Sequence, residues 1–172
     1  EKLSFPNSIK IDIVNNLLKV SGPKGTVEKI LFYPKVIFDK RDNEIIIKSK
    51  NPTKREKKMI NTFKAHIKNM IKGTLEGFEY RLKICSSHFP ISTSIEGNIF
   101  IIKNFLGEKI PRKAKILDGV NVKIDSSDVI VNGINREKVG QTAANIESAC
   151  KIKKRDRRRF QDGIYIYKKS DK

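Results

Sequence analysis

The chain is poor in the residues that organise several whole classes of protein. Its 172 residues include two cysteines, Cys85 and Cys150. They are too sparse for a disulfide-stapled scaffold and lack the paired spacing of a zinc site, so both are expected as free thiols. The only histidines are His66 and His88, and neither has a sequence neighbour arranged as in a catalytic triad. Tryptophan is absent. No run of about 18 apolar residues occurs, which excludes a membrane-spanning helix. The stretch Glu1-Lys2-Leu3-Ser4-Phe5-Pro6 has neither the apolar centre of a secretory signal nor the acid-free pattern of a transit peptide, so a cytoplasmic or nuclear location is expected. The most consequential shortage is of acid. Against 37 Lys and Arg stand 19 Asp and Glu, leaving a net charge of +18. Such a chain repels itself, and the charge is tolerated where a polyanion neutralises it, which makes nucleic acid the leading partner.

What is present suffices to fold: 38% of the residues are hydrophobic, enough for burial to offset chain entropy. The pattern repeats. Ile9 and Ile91, 82 positions apart, each open an alternating strand, a polar turn (Asn15-Asn16; Glu96-Gly97-Asn98) and a returning strand. Val36 and Val120, 84 positions apart, open a second hairpin each, with Asn, Asp and Ser in the turns. Each copy then closes with a helix. In the first, Thr53 and Glu56 have capping-box spacing, Met59, Ile60, Phe63, Ile67, Met70 and Ile71 form the apolar stripe, and Gly73 is the expected stop. In the second, Asn135 caps a stripe of Val139, Ala143, Ile146 and Cys150. The expected fold class is therefore α+β, as two tandem duplicated modules of residues 1–78 and 79–172, each with β-hairpins packed against one helix.

The charge is not spread evenly. Residues 48–72 carry nine basic groups and one acid, and residues 151–172 carry ten and three. On the first helix Lys57, Lys64, Lys68 and Lys72 share a polar face in which Glu56 is the one acid, so like charges lack compensation; His66 lies at its edge. The second cluster places Lys151, Lys153, Lys154, Arg155, Arg157, Arg158 and Arg159 in nine residues interrupted by Asp156. Guanidinium forks match phosphate oxygens, and Phe160, Tyr165 and Tyr167 follow as candidates for stacking on bases or riboses. The Ile164–Tyr167 run argues against a free tail, so an ordered nucleic-acid contact is expected.

Chemistry is not visible. Gly22-Pro23-Lys24-Gly25 shares only composition with phosphate-cradling loops and sits between strands. Asp39, Asp42, Asp125 and Asp128 fall at hairpin turns, where Asp is favoured for geometry. No cofactor, no metal and no enzymatic activity are expected.

The run Arg155-Asp156-Arg157-Arg158-Arg159-Phe160-Gln161-Asp162-Gly163-Ile164-Tyr165-Ile166 resembles the C-terminal signature of a ribosomal protein family, the sixth of the large subunit in bacterial counting and the ninth in eukaryotic counting. Met70-Ile71-Lys72-Gly73 with Gly77-Phe78 and Tyr80, His88-Phe89-Pro90-Ile91, Asn104-Phe105-Leu106-Gly107-Glu108-Lys109 and Val20-Ser21-Gly22-Pro23-Lys24-Gly25 look like its archaeal and eukaryotic branch. The chain departs at Ser148, where the family usually has Gln. The resemblance implies a structural component of the large ribosomal subunit that stabilises ribosomal RNA beside the sarcin-ricin region, near the landing site of translational GTPases. It implies RNA contacts at Lys153, Lys154, Arg155, Arg157, Arg158, Arg159 and Tyr165, extended by Lys151, Lys168 and Lys169. A second loop, Asn104 to Lys109, is expected close to RNA, with Arg112 and Lys113 as further expected RNA contacts. Lys57, Lys64, His66, Lys68, Lys72 and His88 form a lower tier of RNA or protein contacts. Expected partners are large-subunit RNA and neighbouring ribosomal proteins, with no membrane and no homo-oligomer, in the cytoplasm and, in a eukaryote, the nucleolus during assembly. The rivals are an RNA-processing enzyme whose turn carboxylates hold a metal, and an RNA-binding assembly factor acting off the ribosome.

Overall fold

Alternation of buried and exposed residues sets the strands of the first unit, Glu1–Gly77. The computed structural model describes residues 1–14, 16–41 and 43–170; the expected turn residues Asn15 and Asp42 lie outside them. The strands are β1 (Lys2–Ser4), β2 (Lys10–Val14), β3 (Leu17–Gly22), β4 (Gly25–Ile30), β5 (Val36–Arg41) and β6 (Glu44–Ser49), followed by helix α1 (Lys54–Leu75). They form two antiparallel sheets, β2-β3-β4 and β1-β6-β5. In the first, Ile11, Val20 and Val27 stand opposite one another and all three are buried. In the second, the central strand β6 buries Ile45, Ile46 and Ile47 in succession.

The capping box of α1 forms as its spacing demands. The Thr53 side chain accepts the Arg55 N–H at 3.3 Å, and the Thr53 N–H donates to Glu56 Oε2 at 2.9 Å. Ile60, Phe63, Ile67 and Met70 make its buried stripe, and α1 packs on β3, β4 and β6. Gly73 is not the stop. It stays helical and buried, and the chain leaves the helix after Leu75, with Gly77 taking the positive φ of 77°. The helix runs on because its last turn has a tertiary partner: the β3–β4 turn presses against Thr74, whose carbonyl accepts the Lys24 N–H at 3.0 Å. A Cβ on Gly22 would lie 2.8 Å from Thr74 Cβ, so the Gly22-Pro23-Lys24-Gly25 turn is a packing device.

The second unit spans Phe78–Lys172. Its elements are β7 (Phe78–Cys85), β8 (Ser92–Glu96), β9 (Ile99–Lys103), a 3-10 turn (Phe105–Gly107), β10 (Arg112–Lys115), β11 (Val120–Asp125), β12 (Asp128–Gly133), α2 (Arg136–Ala149) and β13 (Gly163–Lys168). The sheets are β8-β9-β10 and β11-β12-β7-β13. The orders β2-β3-β4 and β5-β6-β1 of the first unit thus recur as β8-β9-β10 and β11-β12-β7, with β13 added at the β7 edge. Asn135 caps α2 by accepting the N–H groups of Glu137 and Lys138. Val139, Ala143 and Ile146 are fully buried, against a core that includes Leu82, Phe100, Ile102, Val129, Val131 and Ile164. Both cysteines are free thiols, and burial pushes the Cys150 thiol up to about 11. Among the described residues no helix is long and apolar enough to cross a membrane.

Candidate nucleic-acid interface

Between α2 and β13 the chain must carry its densest positive charge without regular structure, and two acids, the exposed Asp156 and the buried Asp162, shape it. Cys150 and Ile152 are buried and anchor the start. Asp156, the one acid of the cluster, then builds a turn: its carboxylate accepts the Arg158 N–H at 2.9 Å, and its carbonyl accepts the N–H groups of Arg159 and Phe160 at 3.2 and 3.0 Å. The Arg158 N–H and, next, the Arg158 guanidinium, both donating to the carboxylate, hold the Asp156 carboxyl below its usual value. Lys154 takes a positive φ of 57° at the bend. With the backbone set in this way, Lys151, Lys153, Lys154, Arg155, Arg157, Arg158 and Arg159 are all exposed.

Asp162 fastens the other end. Its carboxylate is 1% exposed, and it accepts the N–H groups of Ser87 and His88 through one oxygen and bonds His88 Nδ1 at 2.5 Å through the other. Burial alone would raise this carboxyl, but these three donors outweigh it and hold its pKa below the usual range. His88 therefore has a carboxylate partner that its sequence neighbourhood does not reveal, 74 positions away. Its ring stacks on Phe160 at 4.7 Å, and the Arg155 guanidinium lies 4.8 Å from the same ring. This corrects the expectation for Phe160: its ring is engaged within the protein and organises Arg155 and His88. Tyr165 is 43% and Tyr167 52% exposed. The Tyr165 hydroxyl donates to the Gln161 carbonyl at 3.1 Å, and the ring tip lies where a Cβ on Gly163 would come within 2.8 Å. Lys168 and Lys169 are exposed beyond it.

The second loop joins this surface through Arg112. The guanidinium forms a fork on Glu108, at 2.7 and 2.5 Å, and donates to the carbonyls of Ala149 and Lys151 at 2.9 Å each. It also covers the Phe105 ring at 4.2 Å. The group expected to touch RNA is thus occupied inside the protein, where it clamps the 104–113 loop to the start of the basic segment. The Arg112 hydrogen bonds lower the Glu108 carboxyl, helped by the charges of Arg155 and Lys153. Asn104, in the left-handed region at φ 58°, ties its side chain to the Pro90 carbonyl at 3.0 Å. Lys109 and Lys113 are exposed. The contacts of His88 with Asp162 and Phe160, and of Arg112 with Ala149 and Lys151, thus join the segments around 86–91 and 104–112 to the two ends of 151–162.

The basic face of α1 is different. Lys57 and Lys68 are exposed, but Lys64 pairs with Glu1 at 2.5 Å, so compensation absent from the helix comes from outside it. Lys72 is half-buried. His66 Nδ1 lies 3.2 Å from Lys29 Nζ. Sequence reasoning missed Asp162, Glu108 and Gly163 as organisers. Asp162 and Gly163 stand inside the C-terminal signature and Glu108 inside the 104–109 stretch, which is the one signal the sequence offers for them. Among the described residues no cluster of His, Cys, Asp and Glu has the makings of a metal site.

The profile of the family described as ribosomal protein L6 matches the chain twice, over residues 5–77 and 89–163. The large ribosomal subunit protein uL6 of Aeropyrum pernix is 48% identical over 170 residues, covering 98% of this chain and 93% of that one. Those of Methanosarcina mazei and Methanococcus vannielii are each 44% identical, covering 98% and 100% of this chain and 96% and 94% of their own.

Proposed function

The chain belongs to the ribosomal protein L6 family, and from that premise we propose that it is a structural, non-catalytic component of the large ribosomal subunit that holds ribosomal RNA on the surface of its second unit. The observation that carries this reading is the segment 151–159, whose seven cations are exposed on a backbone fixed by Asp156 and Asp162. A preset array of Lys and Arg lets two phosphate backbones approach more closely than their repulsion otherwise permits. Such contacts position a protein without reading sequence, so specificity comes from RNA shape.

The contacting groups are Lys151, Lys153, Lys154, Arg155, Arg157, Arg158, Arg159, Lys168, Lys169 and Tyr165, with Lys109 and Lys113 from the second loop; Arg112 positions that loop. The site lies beside the sarcin-ricin region, near where translational GTPases land, in a ribosome of the cytoplasm. The α1 face, with Lys57 and Lys68, serves as a weaker contact to RNA or to a neighbouring ribosomal protein, and the chain acts without self-association. The recurring sheet orders and the double family match support two tandem copies of one module, each with hairpins laid on one helix.

A chemical footprint on large-subunit RNA tests this. Protection is expected in the sarcin-ricin neighbourhood, and it should be lost when Arg157, Arg158 and Arg159 are replaced by Ala. Protection elsewhere, unchanged by those substitutions, would overturn the assignment.

A further inference from the structure

Where α2 ends and β13 passes, the basic surface is interrupted by a cavity of about 260 Å³, smaller than the usual range for drug-sized ligands. Its buried lining is apolar: Cys150 is 4%, Ile152 9% and Ile164 0% exposed. Its exposed lining is cationic and aromatic, with Lys151, Arg157 and Tyr165. The Tyr165 ring is held in place by its hydroxyl bond to the Gln161 carbonyl and by its seat over Gly163.

One lining group breaks the cationic pattern. Glu147 presents a carboxylate at the carbonyl end of α2, where the helix dipole is already negative. One of its oxygens, Oε1, accepts the Ile166 N–H at 3.2 Å, which fixes the group. Oε2 has no hydrogen bond among the described residues. A phosphate is repelled by this wall, so the cavity suits a flat group that offers donors to the carboxylate while its own phosphate reaches Lys151 and Arg157. Unpaired nucleotides of folded RNA are splayed out, stacked on aromatic rings and bonded along their edges in this way. Guanine alone carries two adjacent donors, N1–H and N2–H, on its Watson–Crick edge. In uracil the single N3–H is flanked by carbonyls that a carboxylate repels.

We infer that this cavity is a base-reading pocket for one unstacked guanine of the bound RNA, with Glu147 as the selecting residue and Tyr165 as the stacking platform. The inference rests on the RNA-binding reading above and adds to it a nucleotide preference that backbone contacts cannot supply.

Amide NMR of the full chain, titrated at constant ionic strength with GMP, AMP, CMP and UMP, tests it. GMP is expected to give saturable shifts at Ser148, Lys151, Ile164 and Tyr165, at least fivefold tighter than the other three. Glu147→Gln, which keeps an acceptor for Ile166, should erase that preference, so that GMP binds no more tightly than the other three. Equal binding of all four nucleotides, shifts reproduced by inorganic phosphate, or no saturable shift would each overturn the pocket. A parallel assay separates the two readings. Wild-type chain on large-subunit RNA should protect one unpaired guanine from an N1-directed reagent, and Glu147→Gln should release it. Salt-dependent RNA binding with no guanine protected overturns the pocket and leaves the RNA interface standing; no binding to large-subunit RNA overturns both.

Discussion

Asp162 shows how much of the proposed interface depends on groups that would not meet the RNA. Its buried carboxylate joins the 86–91 loop to the end of the basic segment by accepting from Ser87, His88 and the His88 ring. Replacing it with Ala orphans those donors, and a loss of about 2 kcal/mol is expected, read from denaturant midpoints together with faster exchange of the Ser87 and His88 amides. The pH dependence has a definite sign. The folded pKa lies below the ordinary aspartate value of 3.8, so the contribution is complete above that value and disappears as the pH falls through the lowered one. Wild type should lose stability over that acid window more steeply than Asp162→Ala. Gly163 gives a contrasting case. A Cβ there meets only the far end of the Tyr165 side chain, so Gly163→Ala should change stability by less than about 1 kcal/mol while moving the ring, which tyrosine fluorescence and weakened RNA affinity would register. Both residues are legible in the sequence as part of a signature. Their roles are not, because the partners of Asp162 lie 74 and 75 positions away.

At the scale of elements, legibility follows the strength of the local signal. The hairpins β2-β3, β5-β6, β8-β9 and β11-β12 can be read from alternation and turn residues, and α1 from its capping box and wide apolar stripe. The strands that complete the sheets are harder. β1 buries only Leu3 and β10 only Ala114, too little for a period to emerge, and β10 reads as part of a basic loop because three of its four residues are Arg or Lys. The end of α1 was misplaced for a related reason: the contact that extends it comes from the β3–β4 turn, which no local pattern announces. That contact makes Gly22→Ala informative. The new methyl group would meet Thr74 Cβ at 2.8 Å and the Thr74 carbonyl at 3.0 Å, backbone that cannot swing aside. A loss of about 1–3 kcal/mol is expected, visible as a lower unfolding midpoint in calorimetry.

For the molecule as a whole, a net charge of +18 becomes informative only when acids and cations are followed to their positions. In the second unit Glu108 is forked by Arg112, Asp156 caps its turn, Asp162 is buried and Glu147 holds Ile166. These four acids bond to groups of the protein itself, while Lys and Arg of 151–159 are exposed. On α1 the same residue types are partly neutralised, since Lys64 is paired with Glu1. The two patches, nearly equal as counts of charge, are thus expected to be unequal as RNA surfaces. Replacing Arg157, Arg158 and Arg159 with Ala should impair large-subunit assembly, read from sucrose-gradient profiles, more than replacing Lys57, Lys64 and Lys68. Both triple variants should fold, because none of the six side chains is buried.

The most direct test of a cationic surface preset for RNA is the salt dependence of the full chain's affinity for large-subunit RNA. If the 151–159 segment meets about six phosphates, affinity should fall about a thousandfold between about 50 and 200 mM salt, and the log-log slope should become shallower by about two to three when Arg157, Arg158 and Arg159 are replaced by Ala. A flat dependence, or a slope that those substitutions leave unchanged, would contradict the account.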